Sequence, residues 1–478
     1  MTPDYRSSGI LLSVSSLPGP YGIGTMGAYA RRFVDFLAEA GQHYWQILPL
    51  VPPGDGASPY MSPSAFAGNP FFIDLDELAA DGLLTPQELE SAKWNDPDRV
   101  NYPFLTRTRM TLLRTAWERS KDYAPKHEKP ELPWLKDYAR FAALHDRYQT
   151  SCVNWPEDFV EPSQDEMDFH IFLQETFYRQ WFALKDYANK RGIRIMGDIP
   201  FYLSPDSAEV WMRPKLFQLD DKGHLAKVAG VPPDAFSEDG QFWGNPLYAW
   251  EDNQKEVFDF WVERMGWCAK LYDAVRIDHF RAFHTYWSIP ANAKSAKEGK
   301  WNKGPGMPLL DLICDTYPDL EFVAEDLGDL DADCLEFVKN TGMSGMKILV
   351  FAFDPKVESA YLPHNCQRNS VVYTGTHDTP TFVEFIRTGD PASVAHAFQY
   401  LRLREEEGFG WGAVAGAWAC GSRLAIAPLQ DVLGLGADSR MNTPGTNGPL
   451  NWSWRVRVEA FNPFVSGKLR ELTRIYYR

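Results

Sequence analysis

The sequence has no long hydrophobic run, and this absence excludes one large class of protein. A membrane-spanning helix needs a run of about 18 or more apolar residues, and the 478 residues contain no such stretch. The first eight residues, MTPDYRSS, also lack the basic start and apolar core of a signal peptide. We therefore expect a cytoplasmic protein that has no membrane partner.

Cysteine and histidine are scarce, and their spacing predicts neither a disulfide framework nor a metal site. None of the six cysteines forms a CxxC pair, which favours reduced thiols. The ten histidines form no HxH or HExxH motif. Binding of a metal by the acidic residues is therefore the less favoured alternative, and no metal is predicted.

Positive charge is also in deficit. The chain has 48 Lys and Arg against 64 Asp and Glu, a net charge of −16, and binding to nucleic acid depends on neutralising phosphates. We therefore expect no nucleic-acid partner. A GxGxxG sequence at Gly22, Gly24 and Gly27 follows two prolines and is not interpreted as a dinucleotide site, which needs a tight turn directly after a strand. No cofactor is predicted, and no obligate protein partner is evident.

Aromatic residues, in contrast, are abundant, with 17 Trp, 21 Tyr and 30 Phe. Most aromatic side chains belong to protein cores, but sugar-binding clefts also need flat apolar faces beside polar groups. The composition is therefore compatible with a carbohydrate-binding protein.

Eight apolar segments predict strands, and helical patterns separate them. The segments are residues 9–15, 44–50, 193–199, 272–277, 320–325, 346–353, 370–376 and 424–428. Strands that alternate with helices favour a parallel sheet, and eight such units predict the closed α/β fold called a (β/α)₈ or TIM barrel. We expect a single catalytic barrel over residues 1–478. We also expect a helical insertion over 76–165 and a loop-rich insertion over 202–254 that covers the active site.

Acidic residues lie at the ends of four predicted strands. They are Asp198, Asp278, Glu325 and Asp378, and active sites of this fold lie at the carboxyl ends of the strands. Arg276 and Asp278 are two residues apart, so both side chains project to one face of their strand. A nearby cation favours the ionised carboxylate, which makes Asp278 a candidate nucleophile. An ordinary ion pair is the alternative.

A second carboxyl group would complete a retaining glycosidase site, in which one carboxylate attacks the anomeric carbon and a protonated partner donates to the leaving oxygen. Burial and a neighbouring negative charge raise the pKa of such a partner. Glu325 and Asp326 are adjacent, and periodicity does not decide between them in a strand buried on both faces. Asp378 and His377 are expected to hold sugar hydroxyls near the reacting centre.

Two predicted loops carry further candidates for substrate binding. Ser58 and Tyr60 lie in SPYMSPSAFAGNP, which begins at residue 58, and loops on rigid scaffolds often bind ligands. Simple packing is an equally good interpretation of Tyr60. Asn245 lies in the segment 202–254, together with aromatic residues that we expect to bind an acceptor sugar and exclude water: Phe236, Phe242, Trp243 and Tyr248.

Four short motifs carry a family resemblance. MGDIPFY, VRIDHF, VAEDLG and TGTHDT resemble the four barrel motifs of the α-amylase clan. The longer stretches SPYMSPSAFAGNP, GVPPDAFSEDGQFWGNPLY and MNTPGTNGPLNWSW resemble those of the amylomaltases, the 4-α-glucanotransferases also called disproportionating enzymes. This resemblance covers nearly the whole chain.

The resemblance implies a role for each candidate residue. Asp278 would be the nucleophile, Glu325 rather than Asp326 the acid/base, and Asp378 the stabiliser of the transition state. The sugar site would be lined by Arg276, His377, Asp198 and Tyr60, and Trp243 would lie on the covering loop. In one respect the chain departs from the α-amylases. Ile199-Pro200 follows Asp198, where α-amylases carry an Asn-His pair tied to calcium, so no calcium is predicted.

Three functions are therefore compared. The first is the transfer of α-1,4-glucan segments between maltooligosaccharide, starch or glycogen chains by a retaining double displacement. The second is hydrolysis of the same α-1,4-glucans, and the third is glucan binding without catalysis. The presence of Asp278, Glu325 and Asp378 together argues against the third, because a binding protein does not need all three acids.

Overall fold

The computed structural model describes residues 5–122, 127–220, 222–233, 237–328 and 330–478. These residues form twelve strands: β1 (Ser7–Leu11), β2 (Tyr44–Gln46), β3 (Arg194–Ile199), β4 (Lys227–Val231), β5 (Gln241–Pro246), β6 (Ala274–Ile277), β7 (Thr285–Pro290), β8 (Lys300–Lys303), β9 (Glu321–Ala324), β10 (Ser344–Ile348), β11 (Ser370–Tyr373) and β12 (Leu424–Pro428).

Eight of these strands close into a parallel barrel. Its order is β1-β2-β3-β6-β9-β10-β11-β12, and β12 pairs with β1 to complete the circle. All eight predicted segments overlap these strands, so the predicted (β/α)₈ barrel is confirmed. Several predicted segments extend beyond their strands. In two of them the chain leaves the strand in a 3₁₀ turn, at residues 14–16 after the first barrel strand and at residues 349–351 after the sixth.

Fifteen α-helices lie in the described residues. They are α1 (Ala28–Glu39), α2 (Leu75–Ala80), α3 (Pro86–Ser91), α4 (Tyr102–Ser120), α5 (Leu135–Tyr148), α6 (Gln164–Lys190), α7 (Ala208–Met212), α8 (Gln254–Leu271), α9 (Met307–Thr316), α10 (Ala332–Asn340), α11 (Phe382–Thr388), α12 (Pro391–Leu401), α13 (Phe409–Ala419), α14 (Leu429–Val432) and α15 (Pro463–Ile475). Within the described ranges, no helix combines the length and the apolar character needed to cross a membrane.

Helices on the outside explain why the barrel strands are so apolar. Every residue of β9 and β12 is buried, as expected for parallel strands covered on both faces. The longest helix, α6, begins with a capping box in which Ser163 and Glu166 bond each other's backbone N–H. Gly192 follows the end of α6 with φ +75° and returns the chain to β3.

A four-stranded antiparallel sheet lies outside the barrel, in the order β5-β4-β7-β8. Strands β4 and β5 fall within residues 202–254, where the sequence analysis expects a loop-rich segment. Their sequences, KVAGV and QFWGNP, contain glycine and proline, which weaken the signal of a strand. Gly230 is needed here because a Cβ atom would lie 2.3 Å from the carbonyl oxygen of Gln241.

A buried ionic cluster fills the amino-terminal end of the barrel. Glu321 accepts hydrogen bonds from Arg194 and Tyr44 on one carboxylate oxygen and from Arg423 on the other. Its side chain is 2% exposed. Because both oxygens are paired, the carboxylate is accommodated in the interior, and this end of the barrel is closed.

Candidate active site

A guanidinium joins two acids at the carboxyl ends of β3 and β6. Nη1 of Arg276 donates to both oxygens of Asp198, at 2.7 and 2.8 Å, and Nη2 donates to Oδ1 of Asp278 at 2.9 Å. Asp198 is completely buried, whereas the Asp278 side chain is 30% exposed. The two acids raise the pKa of Arg276 further, although burial opposes this. Asp278 is therefore oriented by a fixed cation and still open to a substrate.

Glu325 follows β9 and lies beside Asp278. The backbone N–H of His279 donates to Oε2 of Glu325 at 2.7 Å. Burial, reinforced by the charge of Asp278, raises the pKa of Glu325 well above its ordinary value, and Arg276 and the His279 N–H only partly offset this effect. A carboxyl group in this setting keeps its proton to a higher pH than an ordinary glutamate does.

Asp326 points away from this cluster, toward β10. Its Oδ1 accepts the backbone N–H of Met346 at 2.6 Å, and its Oδ2 lies 3.8 Å from Nζ of Lys347. Gly345 makes room for it, because a Cβ atom there would lie 2.3 Å from Oδ2 of Asp326. Glu325 is therefore beside Asp278, whereas Asp326 is bonded to the neighbouring strand.

Asp378 lies on the loop after β11 and is held on three sides. Nδ2 of Asn442 donates to its Oδ1 at 2.6 Å, Nε2 of His377 lies 3.2 Å from its Oδ2, and Arg440 donates to its backbone carbonyl at 2.8 Å. Burial alone would raise the pKa of Asp378, but the charge and hydrogen bonds of His377 and Asn442 lower it to about 2. Asp378 raises the pKa of His377 in turn, against the effect of burial. The two form an ion pair whenever His377 is protonated.

Tyr60 connects the two halves of this cluster. Its hydroxyl donates to Oδ2 of Asp198 at 3.0 Å, and its ring stacks on His377 with 5.2 Å between centroids and an interplanar angle of 12°. Trp452 packs against the same two rings. An unbroken series of contacts therefore runs from Asp278 through Arg276, Asp198, Tyr60 and His377 to Asp378.

The comparisons with known proteins decide the family. A family profile described as 4-alpha-glucanotransferase matches residues 12–460. The chain belongs to the 4-alpha-glucanotransferase family. A 4-alpha-glucanotransferase from Clostridium butyricum is 43% identical over 98% of this chain and 100% of its own length. One from Thermus thermophilus is 42% identical over 98% of each chain, and a chloroplastic/amyloplastic one from Solanum tuberosum is 42% identical over 95% of this chain and 82% of its own length.

Solved structures agree with this family assignment. An amylomaltase from Streptococcus agalactiae, in complex with acarbose, superposes with a TM-score of 0.92 at 36% identity and covers 99% of both chains. An α-amylase from Geobacillus thermoleovorans, at 10% identity, covers 100% of this chain and 79% of its own length with a TM-score of 0.51. The second likeness shows a shared barrel fold.

The segment 202–254 contributes Trp243 to the site. Its ring meets that of His279 edge-on, with 4.8 Å between centroids and an angle of 87°. Phe242, its neighbour on β5, is 45% exposed. Phe236 lies outside the described residues. The prediction that Tyr248 binds an acceptor sugar is wrong. Its side chain is completely buried and donates to the carbonyl of Phe201 at 3.1 Å, so it presents no face to a sugar.

Ser58 and Asn245 make their hydrogen bonds to other parts of the protein, and Asn245 also contacts the sulfur of Met61. Oγ of Ser58 accepts the backbone N–H of Tyr60 at 3.2 Å, and Nδ2 of Asn245 donates to the carbonyl of Leu203 at 2.8 Å. Both contacts fix segments that border the acids. These polar atoms are therefore already engaged by the protein.

Three residues that contact the cluster were not singled out from the sequence: Arg440, Asn442 and Trp452. Asn442 and Trp452 lie in MNTPGTNGPLNWSW, a stretch that the family resemblance quotes as a whole. The resemblance therefore contained a signal for them, but periodicity did not. Across the described ranges, no cluster of three or more His, Cys, Asp or Glu side chains has the arrangement to hold a metal ion.

Proposed function

We propose that Asp278, Glu325 and Asp378 carry out the 4-α-glucanotransferase reaction in this chain by a retaining double displacement. The observation that carries the proposal is the position of Asp278, which is held by Arg276 and lies beside Glu325, a half-buried acid with a raised pKa. An ionised carboxylate next to a protonated one is the pair that retaining chemistry requires.

The first step breaks the glycosidic bond of the donor. Oδ of Asp278 attacks the anomeric carbon while the bond from that carbon to O4 of the leaving chain breaks, and the proton of Glu325 passes to O4. The products are a glucan with a free 4-hydroxyl group and a glycosyl ester on Asp278. Arg276 holds the attacking carboxylate in place. The carboxylate therefore loses little rotational freedom when it reaches the transition state.

The second step transfers the bound segment. Glu325, now ionised, takes the proton of the acceptor 4-hydroxyl, whose oxygen attacks the anomeric carbon as the bond to Asp278 breaks. Two inversions give net retention, and Glu325 regains its proton. Asp378, held ionised by His377 and Asn442, supplies negative charge near the sugar ring, where positive charge develops.

Transfer rather than hydrolysis requires that an acceptor sugar reaches this ester before water. We propose that Trp243 stacks on the acceptor and that the segment 202–254 covers the site, because Trp243 lies directly over His279, the residue after the nucleophile. Tyr60, His377 and Arg276 would border the donor sugar. Asp198, which is completely buried, would instead hold Arg276 and Tyr60 in place. Ser58 and Asn245 would act through the loops that they hold.

Donor and acceptor would both be α-1,4-glucans, and maltotriose is the simplest test. We expect the protein to convert it to glucose and a ladder of longer maltooligosaccharides, seen by chromatography, with little net gain in reducing ends. Asp278→Asn, an amide of nearly equal volume, should form no ladder while its melting temperature stays close to wild type. If reducing ends instead rise in step with consumption of maltotriose and no product exceeds the donor, the protein is a hydrolase.

A further inference from the structure

One buried acid near the site has no part in the reaction described above. Asp431 lies on α14, directly after β12, and is completely inaccessible to solvent. Within the described part of the chain, no basic side chain pairs with it. A buried carboxylate without a counter-ion is costly, and it persists where its hydrogen bonds are needed.

Both hydrogen bonds of Asp431 go to the segment that carries Asp378. Oδ2 accepts the hydroxyl of Thr374 at 2.5 Å, and Oδ1 accepts the backbone N–H of Phe382 at 2.7 Å. Thr374 is the first residue after β11, and Phe382 is the first residue of α11. One carboxylate therefore holds both ends of the loop 375–381, in which His377 and Asp378 lie.

The loop between these two anchors is tightly folded. The hydroxyl of Thr379 accepts the backbone N–H of Thr376 at 2.9 Å. Gly375 leaves room for this contact, because a Cβ atom there would lie 2.7 Å from Oγ1 of Thr379. A loop that is cross-linked internally and fixed at both ends transmits a shift at its base to the residues at its tip.

We propose that Asp431 is a positioning residue of the active site, which sets the location of Asp378 by binding Thr374 and Phe382 at the two ends of its loop. This inference rests on the role of Asp378 proposed above. Asn442 and Arg440 bind Asp378 itself, so the loop is held at its two ends by Asp431 and at Asp378 by these two residues.

The chemistry of the contact explains why a carboxylate occupies this place. An ionised carboxylate only accepts hydrogen bonds, so it can satisfy the hydroxyl of Thr374 and the N–H of Phe382 at once. An asparagine accepts one of them with its carbonyl and turns an NH₂ group toward the other. In Asp431→Asn we therefore expect the carbonyl oxygen to keep the hydrogen bond from Phe382. The NH₂ group would face Thr374, so the hydroxyl of Thr374 would have to accept a hydrogen bond instead of donating one.

The smallest test removes a single hydroxyl. Thr374→Val should lower kcat on maltotriose by roughly tenfold or more, because small displacements of a catalytic group are costly, while KM stays within about threefold. Thr374→Ser keeps the hydroxyl and should restore kcat to within about twofold of wild type. Thr388→Val, which removes an exposed hydroxyl that bonds the carbonyl of Glu384 within α11, is the matched control and should not change kcat. Equal kcat values for Thr374→Val and wild type would overturn the inference.

A double-mutant cycle separates positioning from general stability. With α-maltotriosyl fluoride as donor, adding Thr374→Val to Asp378→Asn should cost less than about threefold, because on this inference the main effect of the valine on the rate is the displacement of Asp378. Two multiplicative losses would show that Thr374 acts elsewhere, and the inference would fail while the role of Asp378 stands. If Asp378→Asn alone retains wild-type activity, the proposed function fails and takes the inference with it.

Discussion

The backbone N–H of His279 donates a 2.7 Å hydrogen bond to Oε2 of Glu325. His279 reaches this position in the left-handed conformation, with φ 51° and ψ 48°, which is uncommon for residues other than glycine. The residue next to the proposed nucleophile thus holds the carboxyl group of the proposed acid. The turn after β6 fixes the two reacting groups relative to each other.

A first prediction concerns the proton on Glu325. Its pKa is raised by burial and by the charge of Asp278, and the first step needs the protonated form. Activity should therefore be full below this pKa and fall as pH rises through it, which gives the basic limb of the pH profile. Glu325→Gln should lower the rate on maltotriose by roughly 10²–10⁴-fold and abolish that limb.

The control for Glu325 is its neighbour. Asp326→Asn removes an acid of the same strand end that is bonded to Met346 and faces Lys347, so it should keep the basic limb of the profile. An activated donor such as α-maltotriosyl fluoride needs no acid for departure of its leaving group, and Glu325→Gln should release a burst of fluoride from it. A loss in Asp326→Asn as large as in Glu325→Gln would show that the two acids had been assigned the wrong way round.

The barrel was predictable because its strands are apolar runs that end at acids or turns. Strands that are buried on both faces appear in the sequence as continuous apolar segments, and examples are β3, β9 and β12. The antiparallel sheet was not predicted, because the lysine and glycine of β4 and the lysines of β8 interrupt the apolar pattern that marks the barrel strands. Hydrogen bonds across the sheet, rather than the propensities of its residues, give these segments their conformation.

The site divides in the same way. Arg276 and Asp278 are neighbours in sequence, so their contact follows from the alternation of side chains in a strand. The contact of Asn442 with Asp378 spans 64 residues, and nothing local specifies it. The direction of the Asp326 side chain depends on the space left by Gly345 in the next strand. These two residues become neighbours only in the tertiary structure. Local patterns thus predict strand ends, and packing determines which side chains meet there.

A second prediction is that chelators do not inhibit the protein. Both oxygens of Asp198 accept hydrogen bonds from Arg276, and Tyr60 adds another, so a guanidinium occupies the space beside this acid that a calcium ion would need. Activity on maltotriose should be the same before and after dialysis against EDTA, with a calcium-dependent α-amylase treated in parallel as control. Loss of activity that added calcium restores would contradict this prediction.

A third prediction concerns stability at the other end of the barrel. Glu321→Gln removes the carboxylate that pairs with both Arg194 and Arg423 in a buried cluster. Breaking one side of a buried ion pair costs about 3–5 kcal/mol of unfolding free energy. Glu161→Gln is the control, because Glu161 pairs with Arg140 at the surface and such pairs contribute about 0–1 kcal/mol. Urea unfolding should separate the two variants, and a loss in Glu321→Gln no larger than in Glu161→Gln would refute this account of the cluster.

The last prediction concerns the competition between water and sugar for the glycosyl ester. Trp243 and Phe242 are consecutive on β5, and their side chains point to opposite faces of the strand. Trp243 lies over His279 beside the nucleophile, whereas Phe242 is 45% exposed. Removal of the Trp243 ring takes away a stacking surface and part of the cover, so a bound acceptor is held less well and water enters more easily.

Trp243→Ala should therefore raise the ratio of hydrolysis to transfer by roughly tenfold. The loss of one aromatic contact of about 1.4 kcal/mol changes by that factor the partition of the glycosyl ester between water and the acceptor sugar. The measurement is the yield of reducing ends relative to the yield of maltooligosaccharides longer than the donor. Phe242→Ala removes a ring from the other face of the same strand and should shift the ratio less than Trp243→Ala does. If both variants shift the ratio equally, the effect belongs to the strand and not to the contact that the Trp243 ring makes with His279.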